Sequence, residues 1–97
     1  MIIRIVRMHF TEAGVAEFLE IFRRHESAIR QFAGCRHLEL LRDADDPCTF
    51  ATLSYWDSAE SLNRYRQSDL FSVVWGQVKS LFAGRSQAFS LVKPESD

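Results

Sequence analysis

Three large aromatic side chains with a polar hydrogen, Trp56, Tyr65 and Trp75, fall within one stretch of this chain. Trp56 ends a run of β-branched and aromatic residues, Tyr65 lies one helix further on, and Trp75 one helix beyond that. A buried indole or phenol usually needs a partner for its N–H or O–H, and Phe and Leu would make a simpler core. The grouping therefore points to a small-molecule site, with core packing as the plain alternative for Trp56 and Tyr65. Trp75, among Leu70, Val74 and Val78, reads as core or cavity wall. Arg7 and His9 alternate onto one face of an N-terminal strand, and His25 interrupts an apolar helical stripe. An apolar pocket, a base and a fixed cation suit one kind of chemistry, in which an acidic substrate loses a proton and its anion is held in place. Arg7 would hold the anion. His9 or His25 would take the proton, since burial disfavours the charged imidazole and leaves a base near neutral pH. The competing readings are an Arg7 paired with a helix carboxylate and a core His25 bonded to a neighbour. His37 reads as a sheet-surface residue.

Other chemistries fail on spacing or charge. His25-Glu26 starts like H-E-x-x-H, but Ile29 stands where the second ligand belongs. No cysteine or histidine pair has metal-ligand spacing, so no metal is expected. The 4 glycines form no phosphate loop, and Cys35 and Cys48 are too few for a disulfide framework. A net charge of -1 argues against nucleic-acid and anionic-membrane partners. No stretch approaches the ~20 apolar residues of a membrane span, and the N-terminus has no leader pattern, so a cytoplasmic location is expected.

The strands and helices that carry these residues follow from periodicity. Residues 2–10 alternate as a strand with Ile3, Ile5, Arg7 and His9 on one face and Ile2, Arg4, Val6 and Met8 on the other. Thr11 is placed to cap a helix over 11–32, whose stripe is Val15, Phe18, Phe22, His25, Ile29 and Phe32. Gly34 suits a left-handed end. Strands over 35–42 and 49–56 flank the polar turn from Asp43 to Pro47 and form a hairpin. Asp57 and Ser58 can cap a short helix over 58–66, with Asp57 and Glu60 at capping-box spacing. Ser68-Asp69 opens a helix over 69–82, Gly84 stops it, and 86–93 forms a last strand.

The 97 residues, 46% apolar and 26% charged, suit a single domain over 1–97, with an ordered core of about 2–93 and a polar tail over 94–97. The fold class is α+β: a ferredoxin-like β-α-β-β-α-β order, with a four-stranded antiparallel sheet and helices on one face. Both faces of the first strand are apolar, so a further layer is needed. At ~25 cal/mol per Å2, covering even a few such side chains is worth several kcal/mol. A second copy of the sheet supplies that layer most simply, which gives a homodimer in a dimeric α+β barrel.

Gly34 after the first helix, Trp56 followed by Asp57-Ser58 and a Glu, and the Ser68-Asp69-Leu70-Phe71 helix start together resemble the antibiotic biosynthesis monooxygenase family. The resemblance covers nearly the whole chain. It implies a small dimeric α+β barrel and, among the activities the family hosts, oxygenation of a small aromatic phenol or quinol without a cofactor. The haem-degrading branch has Asn, Trp and His where this chain has Arg7, Tyr65 and Trp75, and an indole cannot ligate iron. In the phenol-oxygenating branch the strand-ending Trp matches Trp56, while Thr52 replaces an Asn, keeping a hydroxyl but not an amide. The catalytic expectation is Arg7, His9, His25 and Trp56, with Thr52, Phe22, Tyr65 and Trp75 contacting the ligand. The alternatives are a non-catalytic dimeric ligand-binding or interaction module and, on the same scaffold, an isomerase or decarboxylase.

Overall fold

Apolar residues at every second position and at helical spacing produce seven elements in the computed structural model, which describes residues 1–95. They are β1 (Ile2–His9), α1 (Gly14–Arg30), β2 (Cys35–Arg42), β3 (Thr49–Trp56), α2 (Ala59–Arg66), α3 (Asp69–Lys79) and β4 (Gln87–Leu91). The strands form one antiparallel sheet in the order β2-β3-β1-β4. The α+β class and the four-stranded sheet are as the sequence implies. Of the polar tail expected over 94–97, the last two positions lie outside the described residues.

Several boundaries move. Thr11 does not directly precede α1; its hydroxyl and carbonyl oxygens instead both accept from the Gly14 N–H, at 3.0 and 2.9 Å. α3 ends at Lys79, because the chain must turn for the Leu81 carbonyl to accept from Thr11 N–H and for Phe82 to bridge Phe10. Ser58 caps α2 and Ser68 caps α3, each accepting a backbone N–H at 3.1 Å. The expected Asp57–Glu60 box does not form, because Asp57 reaches across to Arg36 on β2 as a paired carboxylate. Gly34 has φ +92, and a Cβ there would strike Ser61 of α2, so both conformation and close approach require glycine.

The helices pack on the sheet face that carries Met8 and Phe50. Their core joins Met8, Phe10, Phe18, Ile21, Phe50 and Val78, with the Phe10 and Phe18 rings stacked at 4.1 Å. This settles the alternation of β1: Arg4, Val6 and Met8 point toward the helices, and Ile3, Ile5, Arg7 and His9 point away. The outward face gathers Ile3, Ile5, Leu53 and Tyr55 with Leu41, Phe89 and Leu91, and the last three remain about half exposed at 47–48%.

Candidate functional site

Toward the β3 C-terminus the helices stand off the sheet and leave a cavity of about 500 Å3. Thr52, Ser54 and Trp56 reach it from alternate positions of β3, and Arg4, Val6 and Met8 from β1. Phe22 comes from α1, Tyr65 from α2 and Trp75 from α3. One side is a continuous aromatic wall. Trp56 stacks on Tyr65 at 4.9 Å, Tyr65 meets Phe71 edge-on at 5.2 Å, and Phe71 lies parallel to Trp75 at 5.8 Å. Trp56 is 1% exposed and donates its Nε1 hydrogen to Ser54 Oγ at 3.0 Å, so its ring is fixed and its N–H is spent. Among the described residues, the Thr52 and Tyr65 side-chain hydroxyls make no hydrogen bond within the protein, which leaves both for a ligand oxygen. Burial, and then nearby Cys35, pushes the Tyr65 phenol up to about 12. It stays protonated at neutral pH and acts there as a donor, not as a base.

The cavity thus assembles Trp56, Thr52, Phe22, Tyr65 and Trp75 and leaves out Arg7, His9 and His25. Arg7 is turned to the outer face, half exposed, with its Nη2 3.9 Å from Asp43 Oδ2. His9 lies beside it. The Thr49 hydroxyl donates to Asp46 Oδ2 at 2.8 Å and accepts from His9 Nδ1 at 2.8 Å. Arg7 and His9 thereby tie the β2–β3 turn to the end of β1. His25 directs Nδ1 to the Ile21 carbonyl of its own helix at 2.9 Å and does not line the cavity. His37 is on the outer face as expected, 3.2 Å from Glu39. The face assigned to Arg7 and His9 was the ambiguous one, since both faces of β1 are apolar. Burial of Met8 and Phe10 decides it the other way.

Arg4 takes the place expected of Arg7. Its Nη1 donates to Ser90 Oγ at 2.9 Å, and burial followed by the charge of Arg66 lowers its pKa, although a guanidinium remains protonated. The available signal was an arginine on the same strand face as Val6 and Met8. Among the described residues, the lining holds no charged group besides the Arg4 and Arg66 guanidinium groups: there is no Asp, Glu, His, Lys or Cys. Among the described residues, no group of three or more His, Cys, Asp or Glu is placed to hold a metal ion.

An antiparallel sheet with helices on one face, opening a ring-lined cavity between the two layers, defines a small α+β protein with a site for a small molecule. The profile of the antibiotic biosynthesis monooxygenase family matches residues 1–74, and the chain belongs to that family. Solved structures share the fold. One described as an antibiotic biosynthesis monooxygenase superposes with a TM-score of 0.90 at 16% identity, covering 96% of this chain and 98% of that one. A conserved protein from Methanosarcina mazei gives 0.89 at 18%, covering 96% and 93%. Rv0793 from Mycobacterium tuberculosis gives 0.89 at 18%, covering 98% and 96%. No functionally curated protein matches the chain. Among the described residues, no helix is long and apolar enough to cross a membrane.

Proposed function

We propose that this chain is a cofactor-independent monooxygenase acting on a small aromatic phenol, quinol or anthrone. The observation that carries this reading is the ring-walled cavity of about 500 Å3, in which the hydroxyls of Thr52 and Tyr65 are uncommitted and Arg4 supplies positive charge. That volume lies within the ~300–1,000 Å3 of small-molecule sites.

The chemistry is the substrate's own, and the protein favours its ionised form. A flat substrate seats against the Trp56–Tyr65 stack, with its acidic oxygen toward the hydroxyls of Thr52 and Tyr65. Those donors and the field of Arg4 favour the phenolate or enolate, and the released proton passes to water at the mouth. The carbanion form gives one electron to dioxygen. Radical and superoxide then join through a new C–O bond, and the protonated hydroperoxide loses water as its O–O bond breaks. For an anthrone the balance is CH2 + O2 → C=O + H2O, with one oxygen atom retained and no outside reductant. Oxygen uptake across a panel of quinols and anthrones tests the proposal. Catalysed uptake with one product carbonyl per dioxygen supports it, and no acceleration over buffer across the panel rejects it.

The absence of a carboxylate or imidazole among the described lining residues favours a second reading, a non-catalytic module that binds the same kind of ligand. Saturable binding without oxygen uptake would select it. For either role we take the protein to be a homodimer, joined through the apolar outer sheet face.

A further inference from the structure

The cavity differs in chemistry between floor and rim. Met8, Phe18, Leu38, Trp56, Leu62 and Val78 make a buried apolar floor. At the rim, Asn63, Arg66 and Gln67 are exposed, and Arg4 reaches in from the sheet. Among the described residues, no Asp or Glu lines it. Among the described residues, neither guanidinium is paired with a carboxylate. Arg66 by itself has an ordinary explanation, since cations are favoured in the last turn of a helix. Arg4 is partly buried, gives one N–H to Ser90, has no carboxylate partner among the described residues, and feels the like charge of Arg66. Two cations beside an apolar chamber repel each other until an anion enters between them.

We infer that the rim is an acid-binding subsite: the ligand is a flat apolar ring system bearing a carboxylate, with its rings in the aromatic chamber and the carboxylate between Arg4 and Arg66. Guanidinium forks match carboxylate geometry, and Arg4 keeps N–H groups beyond the one given to Ser90. One carboxylate neutralises one of the two charges and leaves net positive charge for the anion that forms on the ring. The inference rests on the cavity being the site for an aromatic ligand, and it narrows that ligand's class.

Calorimetric titration with 2-naphthoate and its neutral isostere 2-naphthamide tests it. The wild type is expected to bind the acid about tenfold or more tightly than the amide, with the preference shrinking at about 0.5 M salt. Arg66→Gln, on an exposed helical turn, and Arg4→Gln should each remove most of that preference by weakening acid binding more than amide binding. Equal affinities in the wild type, or an acid preference that survives in the double variant, would overturn the inference. Binding of neither probe would overturn it together with the cavity reading. Oxygen uptake separates the two claims: turnover without acid preference sinks the subsite alone, and acid preference without turnover sinks the oxygenation alone.

Discussion

Arg4 and Arg7 are an odd number of positions apart on β1, so their side chains leave opposite faces of the sheet. They are the same residue type on one strand, yet Arg4 faces the ring-lined cavity and Arg7 faces Asp43. Arg4→Met should lower kcat/KM for an oxygenated phenol by about 10²-fold, the cost typical of removing one transition-state stabiliser. Arg7→Met should retain most turnover and lose at most about 1 kcal/mol of stability in urea, as for a half-exposed ion pair. A reversal of that order in steady-state kinetics would return the anion site to the outer face. Tyr65 gives a pH signature. Its phenol keeps its proton to about 12 when folded, whereas the ordinary value is 10.0. Between those values the folded state binds the extra proton, so stability falls as the pH rises. The loss should be on the order of 2–3 kcal/mol by the upper limit. Tyr65→Phe should remove that part of the alkaline decline in denaturant midpoints. At this scale the sequence exposed the residue types and left their direction open, because a strand apolar on both faces reads equally well in either phase.

At the scale of elements, turn chemistry was the most readable part of the chain. Ser58, Ser68 and Gly34 act where their types suggest, since a short hydroxyl cap and a positive φ are local requirements. The Asp57–Glu60 box and the end of α3 were not readable, because partners far along the chain decide them. Arg36 on β2 claims Asp57, and Phe10 claims Phe82. The Arg36–Asp57 pair fastens β2 to the start of α2, the helix that carries Tyr65 and Arg66. Its hydrogen bond from Arg36 is the main cause holding the Asp57 carboxyl below its usual 3.8, and backbone and Thr49 hydrogen bonds lower Asp46 likewise. A depressed folded pKa gives stability that is complete above 3.8 and lost as pH falls through the folded value. Asp57→Asn should therefore be less stable than wild type at neutral pH and show a flatter acid limb, measured by urea unfolding from pH 6 down to about pH 2. Parallel profiles for the two proteins would remove the pair as a fastener.

For the whole molecule, the four-stranded antiparallel sheet with helices on one face followed from alternation and helical stripes, and one apolar sheet face remains half open. Leu41, Phe89 and Leu91 lie there beside Ile3, Ile5 and Leu53. Sedimentation at micromolar protein should give twice the 11.2 kDa chain mass, and Phe89→Asp should shift it toward the monomer. A wild-type monomer at that concentration would contradict pairing through this face. The site was less readable than the fold. The ring wall of the cavity could be seen in Trp56, Tyr65 and Trp75, whereas Arg7 was expected on the helix-facing side of β1 and lies on the other, and no described histidine lines the cavity.

Oxygen consumption on an anthrone, with wild type and Ala88→Trp side by side, decides whether the ring-lined cavity is the place of oxygenation. Ala88 lines the cavity from β4, whose residues are exposed, so an indole there fills the cavity while disturbing the core least. Saturable uptake in the wild type, one anthraquinone formed per dioxygen, and loss of both in a folded Ala88→Trp protein are the predicted results. Uptake no faster than in buffer, or equally fast with the cavity filled, would contradict that placement.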